Sequence, residues 1–138
     1  MSFLREAQMD QSFGPLATYR ENFGFVPNVV RAQALLPRLI EANERLVSVT
    51  LIKENALSRK QKARMAFYVA ASLQDMYSVT LHAGFLRFLG ISRSEVAAFS
   101  MDFRGGGLPA ADVALLEFCV KLSRDAQSID YRVERLRS

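Results

Sequence analysis

Apolar residues recur along most of this chain at the three- and four-residue spacing of an amphipathic α-helix. No alternating strand pattern of useful length accompanies them. We therefore predict an all-α fold, a single-domain helical bundle of about six to eight helices over residues 1–138. The predicted helices span about 15–22, 29–36, 37–54, 58–73, 76–89, 92–100 and 109–124, with a short tail helix from Ser128 to Arg137.

Turn and cap residues set the ends of these helices. Gly24 and Gly90 are expected to end helices, and Asn28 is expected to cap the one that follows it. Two sequences, Ser58-Arg59-Lys60-Gln61 and Ser92-Arg93-Ser94-Glu95, fit capping boxes and predict two further helix N-termini.

The apolar stripes also predict which helices are buried. The helix over 37–54 reads as a core helix, and the helix after Ser58 is so apolar that it should be buried on most sides. On the helix over 76–89 the apolar sector is wider than one neighbouring helix covers, and a subunit interface is a natural use for the excess.

Composition places the chain among folded globular proteins, because 50% of its residues are hydrophobic and 23% are charged. No apolar run approaches the roughly 18 residues of a membrane span, and the N-terminus lacks the pattern of a signal peptide. We expect a cytoplasmic protein with no membrane partner. The lone cysteine, Cys119, lies in an apolar helical seam and is predicted to be a small buried core residue.

The net charge of +4 is spread along the chain and has one concentration, Arg59 to Arg64. No aromatic recognition motif lies beside it, so we interpret it as a solvated helix face and expect no nucleic-acid partner. The glycines that follow Arg104 lack the strand and the Lys-Ser or Lys-Thr of a phosphate loop, so they are interpreted as a connector.

Candidate chemistry is concentrated at Asp75, Ser78 and His82, the only histidine of the chain. At about 100° per helical residue these three side chains fall within one narrow arc. The same arc continues into Phe85 and Leu86, so the polar group begins a stripe that should be buried. Polar side chains in such a place need partners.

Several segments in this order resemble the alkylhydroperoxidase D-like branch of the carboxymuconolactone decarboxylase superfamily. They are Gly24-Phe25-Val26-Pro27-Asn28, Leu57-Ser58 before a long apolar helix, the segment ending at His82, Leu89-Gly90-Ile91-Ser92, and Glu95-Val96. The resemblance covers about residues 20–125 and implies the helical fold of that branch.

In redox-active members of this group, the resemblance implies a Cys-x-x-Cys-x-x-x-His segment at a helix start and a proton-relay glutamate one helix earlier. Here Asp75 and Ser78 occupy the cysteine positions, Ala63 occupies the glutamate position, and only His82 is kept. Neither replacement can cycle through a disulfide, so we predict no thiol peroxidase activity.

The resemblance also implies a homo-oligomer, whether dimer, trimer or hexamer. Relatives usually continue beyond the end of this chain into another long helix, so we expect a core face that a partner subunit covers. No cofactor is expected. A metal site is not expected either, because one histidine and one aspartate supply too few ligands.

Three interpretations of the site stay open. Asp75, Ser78 and His82, with Tyr68 or Tyr77, could form a catalytic or small-molecule site, although residues one helical turn apart rarely reach the geometry that a nucleophile needs. His82 alone could perform decarboxylase-like acid/base chemistry on a lactone. Alternatively, Asp75 caps the helix, Ser78 bonds to the preceding turn, His82 is a satisfied core residue, and the chain is a structural or assembly subunit.

Overall fold

The computed structural model describes residues 14–105 and 107–128, without the side chains of Met101 and Ser128. These residues form seven α-helices and no strand, which confirms the all-α prediction. The helices are α1 Gly14–Phe23, α2 Asn28–Ala32, α3 Pro37–Val47, α4 Arg59–Ser72, α5 Met76–Phe88, α6 Arg93–Met101 and α7 Ala110–Arg124. A π-helical turn, Ser48–Ile52, follows α3, and a 3-10 turn, Ala126–Ser128, follows α7. The predicted tail helix beyond Ser128 lies outside the described residues.

The chain divides into two compact units, the first ending at Arg59 and the second beginning at Lys60. A single domain over 1–138 therefore stays a prediction. Within residues 14–105 and 107–128, no helix combines the length and the hydropathy that crossing a bilayer requires.

The first unit corrects two predictions. Helix α2 begins at Asn28, because Pro27 already holds the extended backbone of the N-cap residue and no side chain caps the helix. Helix α3 is not a core helix, since Ile40 is its one buried residue while Leu39 and Leu46 are exposed. The buried apolar side chains of this unit are Leu16, Tyr19, Phe23, Val30, Ala34 and Ile40.

In the second unit α4 is buried on most sides, as predicted, and none of its side chains from residue 61 to residue 72 is exposed. Cys119 is also buried, as predicted. The Ser92–Glu95 capping box is present in both directions, with the Glu95 amide donating to Ser92 Oγ and the Ser92 amide donating to Glu95 Oε2. Helix α4 begins at Arg59, as the Ser58 sequence predicts.

The basic cluster at the start of α4 is not a solvated face. Lys62 is only 7% exposed. The Arg64 guanidinium lies 3.9 Å from the Asp112 carboxylate and 5.3 Å from the centre of the Phe99 ring. Lys60 is the exposed member of the described cluster, because the other cations are used in packing within the fold.

Candidate functional site

The candidate site lies where α4 ends and α5 begins. The Gln74 amide donates to the Ala71 carbonyl at 3.1 Å, and the Asp75 amide donates to the Ala70 carbonyl at 3.0 Å. This pair of bonds is the Schellman arrangement that closes a helix C-terminus. Gln74 has φ 58°, in the left-handed region that the arrangement requires.

The same arrangement ends α5, where the Gly90 amide donates to Arg87 and the Ile91 amide donates to Leu86, both at 3.0 Å. There the left-handed residue is Gly90, with φ 85°. This glycine predicts the helix end from the sequence, whereas Gln74 does not. Two helices of the second unit therefore end alike with different residues at the strained position.

Asp75 completes the joint by capping α5. One carboxylate oxygen accepts from the Ser78 amide at 3.1 Å, and the other accepts from the Ser78 hydroxyl at 2.6 Å. The Ser78 hydroxyl, followed by the Ser78 amide, holds the pKa of Asp75 below its usual range. The predicted helix cap is confirmed: the Asp75 amide donates the last bond that closes α4, and the Asp75 side chain caps the start of α5.

These bonds bear on the nucleophile interpretation. The Ser78 hydroxyl donates its hydrogen bond to Asp75 and therefore does not donate one to His82. The Asp75 carboxylate in turn is occupied by Ser78 and does not hydrogen-bond the imidazole. The three residues follow one another at helical spacing from the cap to the middle of α5, but they do not form a relay of the serine-histidine-aspartate type.

His82 is half-buried one turn further along α5. Its Nδ1 atom is buried and has no hydrogen-bond partner within the described part of the chain. Burial lowers the pKa of His82 below 6.5, and the Asp75 charge partly offsets this by raising it. The imidazole is therefore neutral at pH 7, with one ring nitrogen unsatisfied.

The two tyrosines considered with the site differ in their surroundings. Tyr77 is exposed at the start of α5. The Tyr68 hydroxyl is buried and donates to the Phe99 carbonyl. Burial, then the charge of Asp102, raises the pKa of Tyr68 to about 12, so this phenol stays protonated at neutral pH.

Neither Ala63 nor Cys119 presents a reactive group at the surface. Ala63 is 0% exposed. Burial raises the pKa of the Cys119 thiol, which disfavours its reactive thiolate form. No group of three His, Cys, Asp or Glu side chains that could hold a metal occurs in the described ranges.

Apolar side chains flank the cap residue on both sides along the chain. Leu73 and Met76 are exposed, the latter at 70%. The cap residue therefore lies beside two exposed apolar side chains.

The fold matches solved structures. One is an uncharacterized peroxidase-related protein from Silicibacter sp. TM1040, with TM-score 0.79 and 22% identity over 99% of this chain and 78% of that one. Another is an alkylhydroperoxidase AhpD core, an uncharacterized peroxidase-related protein from Ralstonia eutropha JMP134, with TM-score 0.79 and 19% identity over 99% of this chain and 73% of that one.

No protein-family model matches the chain, and no curated protein is similar to it. The resemblance noted in the sequence is therefore confirmed at the level of the fold, which is that of the AhpD core.

Proposed function

We propose that this chain is a protein of the alkylhydroperoxidase D-like fold without thiol peroxidase activity, in which His82 serves as an acid/base group toward a small carbonyl compound. The fold supports the structural part of this proposal. The residues at positions 63, 75 and 78 support the absence of peroxide chemistry, since none of them carries sulfur or a relay carboxylate.

The observation that carries the proposal is the unpartnered Nδ1 of His82. A buried polar atom without a hydrogen bond costs about 1–3 kcal/mol, so such atoms are rare unless a ligand, water or catalytic role explains them. Asp75 and Ser78 satisfy each other and leave this nitrogen as the open group of the site.

The charge state of His82 fits a base. A neutral imidazole can accept a proton from the carbon next to a carbonyl and return it to the same or a neighbouring carbon, so that no net proton is consumed. The negative charge of Asp75 favours the imidazolium that forms in between, as its upward effect on the pKa of His82 indicates. The resemblance implies lactone chemistry in which a histidine protonates or deprotonates the substrate, and His82 would take that part here.

Isotope exchange tests the proposal. We expect the untagged protein to catalyse exchange of the acidic carbon-bound proton of a carboxylated γ-lactone in D2O, followed by NMR. His82→Gln should slow exchange by a factor of about 100 or more, the usual size of a lost general base. Ser78→Ala, the matched control on the same helix, should slow it less than about threefold, because Ser78 serves the cap.

The outcome is read against the melting temperature of each variant. Exchange that is equal in wild type and His82→Gln would sink the proposal. A large loss of stability in His82→Gln, with no exchange in wild type, would favour the structural interpretation of the histidine.

The redox part has its own assay. With excess dithiol, the protein should consume an organic hydroperoxide no faster than the blank, and Cys119→Ser should behave as wild type does. Consumption that Cys119→Ser abolishes would show that the buried thiol is reactive after all.

A further inference from the structure

A cleft of about 700 Å³ lies in the second unit, among the C-terminal half of α4, the segment after α6 and the last two turns of α7. Its volume is within the range of about 300–1,000 Å³ that small-molecule pockets occupy. His82, Asp75 and Ser78 are not among its lining residues, so it is separate from the site described above.

One wall of the cleft is apolar and rigid. The rings of Tyr68 and Phe103 meet edge to face, with centroids 4.4 Å apart. Ala71 and Val120 extend the same lining. The two rings are only 7% and 8% exposed, and the Arg104 guanidinium lies 4.8 Å from the centre of the Phe103 ring, so a ligand would meet the ring edges and these two aliphatic side chains.

The charges at the cleft do not cancel. Arg104 and Glu117 neutralise each other, with Nε and Oε1 2.8 Å apart. The remaining charged lining residues are two cations, Lys121 and Arg124, and one acid, Asp125. Lys121 and Arg124 are exposed and lie three residues apart on α7, so they share one face of that helix.

A helix C-terminus usually carries a partial negative charge, which would oppose an anion near the end of α4. Here the terminal carbonyls are already paired. Ala70 and Ala71 accept from the Schellman amides, and Ser72 accepts from Arg124 Nη2 at 2.7 Å. This end of α4 therefore offers few open acceptors, and Arg124 keeps its charge.

We propose that this cleft binds a monocarboxylate with an aromatic or aliphatic body, its carboxylate at Lys121 and Arg124 and its body against Ala71, Val120 and the edges of the two rings. One surplus positive charge suits a monoanion better than a doubly charged phosphate. The proposal is independent of the role proposed for His82.

NMR titration of the full chain with phenylacetate tests it. Saturable shifts are expected at backbone amides of residues 68–72 and 117–125, with a Kd of about 1 mM or below. Phenylacetamide, which keeps the body and lacks the charge, and acetate, which keeps the charge and lacks the body, should each bind at least about tenfold more weakly.

Lys121→Gln should weaken phenylacetate binding about fivefold or more, and Lys60→Gln, at an exposed lysine outside the cleft, should leave it unchanged. Equal affinity for the amide, no effect of Lys121→Gln, or no saturation up to about 10 mM would overturn the proposal. Tighter binding of phenyl phosphate would overturn the monocarboxylate class, and shifts centred on His82 would place the ligand at the other site.

Discussion

Two opposing effects of its surroundings set the charge state of His82. Burial pushes the pKa of its imidazole down, and the nearby Asp75 carboxylate pushes it up. Burial prevails, so the ring is held neutral while its Nδ1 stays without a partner in the described structure. A neutral imidazole with an unpartnered nitrogen is the group of this site that could accept a proton.

Asp75→Asn is expected to lower the pKa of His82 further. Asparagine caps helices about as well as aspartate, so the change removes the charge and keeps the joint. Because the chain has one histidine, its ring signals in an NMR pH titration of untagged protein need no assignment. An unchanged or raised pKa would contradict the electrostatic role given to Asp75.

His82 also predicts a pH dependence of folding. The unfolded chain binds the proton near pH 6.5 and the folded chain only at lower pH, so the free energy of unfolding should fall as pH drops below 6.5. It should be flat between pH 6.5 and about 8. Denaturation across pH 5.5–8 is expected to show this slope in wild type and not in His82→Gln, because Glu95, whose pKa is also lowered, acts nearer its usual 4.5. Asp75 affects the free energy of unfolding at a lower pH, because its pKa is lowered on folding from its usual 3.8.

Core packing gives a third expectation, on a matched pair in α5. Phe85 is 0% exposed and Phe88 is 46% exposed. Phe85→Ala should cost about 3–5 kcal/mol of unfolding free energy in urea titrations, and Phe88→Ala less than about 1 kcal/mol. Similar losses at both positions would mean that Phe88 is covered too, which repeating the titration at several protein concentrations would reveal.

At the scale of elements, the two Schellman stops make opposite predictions. Gln74→Gly should stabilise the protein by about 0.5–1 kcal/mol, because a left-handed backbone costs an L-residue more than glycine loses in entropy. Gly90→Ala should destabilise it by about 1 kcal/mol, and purely through the backbone, since an added Cβ would meet nothing within 4 Å.

The control for this pair is Gly14→Ala at the start of α1, where the added Cβ also meets nothing and φ is not positive. There alanine should be neutral or mildly stabilising. A loss of stability in Gln74→Gly would mean that the Gln74 side chain makes a contribution of its own.

Most helix boundaries could be read from the sequence, because they rest on local chemistry. Gly24 and Gly90 end helices, and the Ser92–Glu95 box begins one. The end at Gln74 could not be read, since a non-glycine residue is held there by the helices on either side. The exposure of α3 could not be predicted for another reason: a stripe of apolar residues does not show whether anything in the fold covers it.

The sequence could predict which residues form the site, but it could not predict the hydrogen bonds between them. Periodicity alone places Asp75, Ser78 and His82 on one face of the helix. The choice of Ser78 to bond Asp75 depends on side-chain rotamers. The cleft with Lys121 and Arg124 joins residues some 50 positions apart in the chain, as the Arg124 bond to Ser72 illustrates, and such proximity is tertiary.

At the scale of the molecule, the exposed apolar residues argue for self-association, which stays a proposal. Several large side chains are roughly half exposed or more, among them Leu36, Leu46, Val49, Met76 and Phe88. Monomeric proteins rarely leave so much apolar surface open, and homo-oligomers cover it.

Light scattering should therefore give a mass that is a multiple of 15.5 kDa. Phe88→Glu is expected to shift the mass toward the monomer, because a carboxylate is costly to bury in an apolar interface. Thr80→Glu, at an exposed polar position of the same helix, should leave the mass unchanged. A wild-type monomer at high concentration would contradict the proposal.

The joint at Asp75 has a mechanical consequence. Helices α4 and α5 are linked through residues whose amides or side chains are all engaged in closing one helix or opening the next. Because this link is short and hydrogen-bonded, we expect a rotation of α5 to move the end of α4 as well. Helix α4 carries Tyr68 on the cleft wall, and α5 carries His82. A movement at this joint would therefore affect both places in the second unit where a small molecule could act.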